Sequence, residues 1–255
     1  MKIATWNVNS IRVRLPQVLE WLHTAQVDIL GLQEIKLPSE DFPVEAFREL
    51  GYQVLVSGQK TYNGVALLGK TPATDVVTDL PGLEDAQRRV LGATLNDIRV
   101  INLYVPNGQA LDSDKFVYKI NWLSKLESWI AREIRTHKKL IVMGDFNIAP
   151  EDRDVHDPAS WEGSVHVSPQ ERQALKKLEQ LGLRDTFRLF QQPDSSFSWW
   201  DYRRGAFRRN AGLRIDLILA SQAMADSCLA CRTDVEPRSW ERPSDHAPVV
   251  AHFDF

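Results

Sequence analysis

The chain has 255 residues, 43% of them hydrophobic, enough to bury a sizeable core, and no Pro/Gly/Ser-rich linker or low-complexity tract divides it. A single domain over residues 1–255 is expected. The formal net charge of −3 excludes coating of nucleic acid by bulk charge, so any basic footprint must be local. No apolar run approaches a membrane span and "MKIATWNVNS" has no signal-peptide h-region, so a soluble cytoplasmic protein is expected.

In chain order, "KIATWNVN" begins as a strand, and "LPQVLEWLHTA" has helical spacing with Pro16 acceptable in a first turn. "VDILGLQEIK" and "GVALLGK" read as strands, and "RRVLGATLNDIRVINLYVPN" as two strands around Asn96-Asp97. Residues 113–136 form a long amphipathic helix from a Ser113 cap, with Phe116, Ile120, Leu123, Leu126 and Ile130 as its apolar stripe. "KKLIVMGDFNIAP" is a buried strand, Leu140 to Met143, that turns at Gly144 and presents Asp145 and Asn147 to one side. "PQERQALKKLEQLG" is a further helix ending near Gly182, and "LRIDLILAS" and "APVVAHFDF" return to strand. Cys228 and Cys231 form a lone C-x-x-C without a second ligand pair or a thioredoxin-like setting, which reads as two reduced, partly buried thiols.

Polar residues gather where the strands end. Asn7 closes the first; Gln33, Glu34 and Lys36 close "ILGLQEIK"; Tyr104 and Asn107 close "VINLYVPN". Asp216 lies inside apolar "LRIDLILA", where burial demands a partner, and Asp245 and His246 precede the last strand. Taken alone, Gly144, Asp145 and Asn147 would be a turn. Repeated at so many strand ends, such residues describe the rim of a site held by a rigid sheet. Four carboxylates drawn together repel, and the simplest relief is a divalent cation; oxygen donors favour Mg2+ or Mn2+ over zinc. Acids, amides, a Tyr and a His around such a cation suit hydrolysis at phosphorus, with an acid–amide pair such as Asp145 and Asn147 holding and deprotonating the attacking water.

"WNVNSIR", "LQEIK", "YVPNG", "GDFNIAP", "GLRIDLILAS" and "RPSDHAPV" resemble the exonuclease III family of DNA-repair nucleases, in order from Met1 to about Phe253. "SFSWWDYRRGAFRRNAGLRID" resembles its bacterial branch most specifically. The resemblance implies an α/β fold: a four-layer αββα sandwich of two mostly antiparallel sheets, deoxyribonuclease I-like, with helices outside. It implies that Glu34 is the principal metal ligand with Asn7 and Asp245 nearby, and that Asp145, oriented by Asn147, prepares the water. Asp216 would fix the tautomer of His246, and His246, Tyr104 and Asn107 would contact the scissile phosphate.

The interval from Arg203 to Arg214 holds Arg203, Arg204, Arg208, Arg209 and Arg214 and no acid, directly after Phe197, Trp199, Trp200 and Tyr202. Interleaved aromatics and arginines suit a nucleic-acid surface. The family resemblance assigns Trp199, Leu213 and Ile215 to an apolar pocket for a flipped-out abasic sugar, and Arg89 to a backbone phosphate. The expected substrate is duplex DNA with abasic sites, nicks or 3′ ends, and the resemblance implies a monomer. "HDPASWEGSVHVSPQER" departs from the family pattern; if His166 crowds the pocket, abasic nicking weakens while 3′ trimming survives. A phosphatase of the same superfamily and a non-catalytic nucleic-acid-binding regulator are the rival readings. The arginine–aromatic block weighs against the first, and the retained acids against the second.

Overall fold

The structure is a computed structural model and describes residues 1–254. One sheet contains β1 (Lys2–Asn7), β2 (Ile29–Gln33), β3 (Gln53–Ser57) and β4 (Val65–Gly69), completed by β11 (Cys228–Thr233) and β12 (Val249–Phe253). Its order is β11-β12-β1-β2-β4-β3, antiparallel except for the parallel β1–β2 pair. The second contains β5 (Ala73–Val77), β6 (Val90–Leu95), β7 (Ile98–Tyr104), β8 (Leu140–Asp145), β9 (Arg184–Asp185) and β10 (Asp216–Ala220). These strands stand in the order β5-β6-β7-β8-β10-β9, with only β7–β8 parallel. Two mostly antiparallel sheets packed together, with helices outside, agree with the expected sandwich.

Alternation sorts each strand between two apolar layers. Ile3, Leu67, Leu91, Val100, Ile141, Met143 and Ile218 fill the space between the sheets. The opposite faces pack on helices, three long ones separated along the chain by the short α2 (Val44–Arg48) and α4 (Pro158–Trp161). Ala4, Trp6, Leu30 and Leu32 meet Val18, Trp21 and Leu22 of α1 (Ile11–Ala25). Leu103, Val142 and Leu217 meet Trp122 and Leu126 of α3 (Asp114–Thr136), along with Leu175 and Leu178 of α5 (Pro169–Gln180). Each fully buried side chain of this size contributes about 1.5–3 kcal/mol. Ser113 caps α3 as expected, its hydroxyl accepting from Phe116 N at 3.2 Å. α5 opens with a reciprocal Ser168–Glu171 capping box.

The inward face carries polar groups to one end of the molecule. Asn7 continues the inward row Ile3, Thr5; Tyr104 continues Val100, Asn102; Asp145 continues Ile141, Met143. Asp216 begins the inward row of antiparallel β10 and pairs directly with Asp145. Beneath these ends the sheets are tied by polar groups: Gln33 Nε2 donates to Asn102 Oδ1 at 2.6 Å and Thr5 Oγ1 at 2.8 Å, while Asn102 Nδ2 donates to Leu32 O and Ala66 O.

The observed elements differ from expectation in several places. The first helix starts at Ile11, so Pro16 lies inside it rather than in its first turn. Long-range bonds from Ser10 N to Glu34 O and from Ile11 N to Ile35 O fix that start, and local sequence does not reveal them. The second strand stops at Gln33 because Glu34 and Lys36 take left-handed φ values of 49° and 56°. Short edge strands β3 and β5 and the Cys-bearing β11 lack a strong sequence pattern, and pairing with neighbours creates them. β12 ends at Phe253, and Phe255, the end of the expected strand, lies outside the described residues. Both cysteines are free thiols, Cys231 buried and Cys228 partly so. Among the described residues, no helix is long and apolar enough to cross a membrane.

Candidate active site

Asp145 stands at the centre of the polar end, fully enclosed. Its approach depends on Gly144, at φ +147°, where a Cβ would lie 1.9 Å from Leu103 O. Beyond it Phe146 plunges into the outer core, and Asn147, at φ +50°, turns back. Asn147 therefore binds Asp145 twice: its backbone N–H donates to Oδ1 at 2.9 Å and its Nδ2 to Oδ2 at 3.3 Å. A third bond, Asn147 Nδ2 to Val105 O at 2.9 Å, locks the amide rotamer.

Asn7 Nδ2 donates to both Asp145 Oδ2 and Glu34 Oε1, each at 2.9 Å, which brings the two carboxylates onto one amide. Glu34 also pairs with Lys36 Nζ at 2.9 Å. His246 Nδ1 donates to Asp216 Oδ2 at 2.9 Å, and its Nε2 lies 3.7 Å from Asp145 Oδ2. Ser198 holds Asp216 from behind, its hydroxyl donating to Oδ2 at 2.6 Å while accepting from Asp216 N at 3.0 Å. Asp216 Oδ1 is buried with no hydrogen-bond partner among the described residues.

Burial pushes the Asp145 carboxyl up to about 7; the His246 charge pulls it down, and the Asp216 charge adds to the rise. Burial also works against charge on His246, but Asp216 and then Asp145 carry its pKa up to about 10. The ring is thus an imidazolium between two acids. Tyr104 is held as a neutral phenol by burial and by the charges of Glu34 and Asp145. Such a set supplies a carboxylate poised near neutrality beside a fixed cationic N–H donor.

Glu34, Asp145 and His246 offer ligand atoms within 4.8 Å of one another. His246 commits its Nδ1 to Asp216, and the oxygens of the two carboxylates and the Asn7 amide are the donors that suit a hard cation. Asp245 stands at the edge: Oδ1 accepts from Asn9 Nδ2 at 2.9 Å and Oδ2 from Trp199 Nε1 at 3.0 Å. Burial opposes its ionisation, but the His246 charge and these bonds hold its carboxyl below the ordinary range. Asn9 and Ser198 carried no role in the sequence. The signal for Asn9 is the N-x-N spacing after Asn7, the same as D-x-N in Asp145 and Asn147. For Ser198 there is none.

The residues expected on the substrate side fall into three groups. Arg89 lies beside the site, its guanidinium 4.6 Å over the Tyr104 ring and donating to Tyr104 O at 3.2 Å. Asn107 is exposed, and its Nδ2 reaches Asn147 Oδ1 and His166 Nε2 only at 3.4 Å. Trp199, Leu213 and Ile215 do come together, but as a closed cluster: Leu213 and Ile215 are 0% and 2% exposed and pack on Val155 and Ala149, with Trp161 against them. Trp161 lies 6.3 Å from Trp199 and 5.9 Å from the buried His166. On the outer side of the two tryptophans is a cleft of about 450 Å³ whose lining includes His156, Arg203, Arg204 and Arg209. The arginine run divides. Arg203, Arg204, Arg208 and Arg209 are exposed, whereas Arg214 is buried and paired with Asp154 at 2.7 Å and Asp185 at 2.8 Å. It lies between Leu213 and Ile215, so alternation sends it away from the surface.

The chain as a whole is similar to known proteins in sequence and fold. The model of the Endonuclease/Exonuclease/phosphatase family matches residues 4–246. Exodeoxyribonuclease III of Haemophilus influenzae is 38% identical over 266 residues, covering 99% of this chain and 100% of its own length. A Neisseria 3′ phosphatase, NExo, solved bound to a product DNA hairpin, has a TM-score of 0.98 at 49% identity, with 100% of both chains covered. An AP endonuclease from Archaeoglobus fulgidus reaches 0.97 at 40% identity, again over 100% of both chains. The chain belongs to the endonuclease/exonuclease/phosphatase family and is a homologue of exodeoxyribonuclease III.

Proposed function

We propose that the protein is a Mg2+-dependent DNA-repair phosphodiesterase acting as a cytoplasmic monomer on duplex DNA. It trims nucleotides from 3′ ends, clears blocked 3′ termini and nicks on the 5′ side of abasic sites, each reaction leaving a 3′-hydroxyl. The carrying observation is the continuous chain Asp216–His246–Asp145–Asn147 alongside the Glu34–Asn7–Asp145 contact. Similarity to exodeoxyribonuclease III and to a DNA-bound 3′ phosphatase supports the substrate.

The residues fit a hard cation: their donors are oxygens, and burial, with the neighbouring Asp216 and Glu34 charges, pushes the Asp145 carboxyl up despite the His246 charge. Glu34 would hold the ion as principal ligand with Asn7 and Asp245 nearby. When bound, the ion supplies polarisation of the phosphate and relief of charge on the leaving oxygen. Asp145 takes the proton of the attacking water, and Asn147 fixes the carboxylate's orientation. Asp216 keeps Nδ1 of His246 protonated, so that Nε2–H faces a phosphoryl oxygen. Tyr104 and Asn107 donate to the same phosphate, and Arg89 to a neighbouring one.

The test is a magnesium-supplemented assay of an abasic duplex and a recessed 3′ end. Failure of the folded protein to cut either rejects the proposal. D145N should lose activity by a factor of about 10³ or more with its thermal transition unchanged; full activity in that variant removes the water-activating role.

A second reading, a member specialised for 3′ ends with weak abasic nicking, is favoured by the closed Trp199–Leu213–Ile215 cluster and by His166. That ring is fixed by Nδ1 donating to Asn147 O at 2.7 Å, beside Trp161. Clearing such a side chain is worth about 1–3 kcal/mol, so H166G should raise abasic incision relative to 3′ trimming about tenfold or more. An unchanged ratio of the two rates discards this reading.

A further inference from the structure

Lys119, on α3, lies outside the groups that face the phosphate, yet it is fully buried together with Glu171 of α5. Its ammonium has three acceptors: Glu171 Oε1, Asn147 O at 2.7 Å and Asn107 O at 3.1 Å. All three protons are used, so the group is saturated and its direction fixed. Glu171 is equally committed. Its Oε1 also accepts from His166 N at 2.9 Å, and its Oε2 from Ser168 N at 3.0 Å and Ser168 Oγ at 2.6 Å. One ion pair therefore gathers the loop after β7, the loop after β8 and the segment leading into α5.

Stability does not explain such a pair, because removing two charges from water costs about as much as their attraction returns. Geometry does. Asn107 is exposed; its Nδ2 makes only 3.4 Å contacts and its Oδ1 accepts from Gln109 N at 3.0 Å within the same loop, so the bond from Lys119 to its main-chain carbonyl is what ties that loop to the buried interior. Asn147 sits in a left-handed conformation, uncommon for any residue with a Cβ, and its carbonyl accepts from both Lys119 and His166 Nδ1. At Gly108, beside Asn107, a Cβ would lie 3.1 Å from Lys119 Cδ, so the loop closes directly onto the lysine stem.

We infer that Lys119 and Glu171 are positioning residues for phosphodiester hydrolysis: by holding the carbonyls of Asn107 and Asn147 they set both side-chain amides at the reacting phosphate and water. The inference rests on the hydrolase proposed above. Displacement of a positioned group by about 1 Å costs on the order of 100-fold in rate.

The test compares wild type, E171Q, K119M and K119M/E171M by kcat and KM for 3′ trimming, urea midpoint, and the side-chain amide NMR signals of Asn107 and Asn147 without metal. K119M leaves a buried carboxylate unpaired and should lose stability; the double variant leaves no charge and should recover most of it. Its kcat should nevertheless stay down about 100-fold, with KM within about twofold and both amide signals displaced. E171Q, nearly isosteric, should show the same split more weakly and carries the test if K119M/E171M does not fold. Wild-type kcat with unmoved amide signals, or a loss of rate matched by loss of folded protein, overturns the inference. If wild type cuts neither DNA substrate, the hydrolase reading fails instead, while unmoved amide signals would still overturn the positioning.

Discussion

Asp216 illustrates how one residue links burial to chemistry. A carboxylate at the first position of an otherwise apolar strand is held there by Ser198 and His246, which both donate to its Oδ2, and in return it decides which nitrogen of His246 carries the fixed proton. D216N should drop the His246 pKa from about 10 toward its ordinary 6.5 and lower kcat by about 10²–10⁴-fold; ring-proton NMR titration and steady-state rates measure both. The sign for stability follows. A folded pKa raised above the unfolded one gives stabilisation that is complete below pH 6.5 and lost as the pH rises through about 10, so D216N should flatten that alkaline loss. Asp145 shifts the same way from a lower start: its neutral form is favoured in the fold, and stability declines between its ordinary 3.8 and about 7.

At the scale of elements, the site exists because inward-facing rows of several strands run out at the same end. Period-two alternation sends Asn7, Tyr104 and Asp145 to the layer between the sheets, and parallel pairing of β1 with β2 and of β7 with β8 brings their C-terminal ends level. Gly144 is the tightest point in that arrangement. G144A places a methyl group against the Leu103 carbonyl and should destabilise the protein by about 3 kcal/mol or more, seen as a lower urea midpoint. Much of this scale was legible in the chain. The long helix and its Ser113 cap, the strand rich in Leu, Ile, Val and Met, and the polar strand ends all carry strong local patterns. The early start of α1, by contrast, depends on bonds to Glu34 O and Ile35 O, which no local pattern records.

For the molecule as a whole, a net charge of −3 makes DNA binding a matter of where the cations stand. Arg204 and Arg209 are exposed on the cleft beside Trp161 and Trp199, whereas Arg214 is consumed by Asp154 and Asp185. R204A/R209A should weaken binding about equally for all duplex sequences and make the slope of log affinity against log salt shallower by about 2, measured by fluorescence anisotropy at several salt concentrations. An unchanged slope would place the phosphate contacts elsewhere.

The chain alone determined the alternation of elements, the polar residues at their ends and the family they resemble, because hydrophobic period and motif spacing are local properties. Tertiary structure alone decided that Asn7 bridges Glu34 and Asp145, that Arg214 is structural, that Trp161 and Val155 close over Leu213 and Ile215, and that Lys119 reaches Asn107 and Asn147. Each of these depends on which distant segments share a face, and only the packing of the two sheets and their helices sets that.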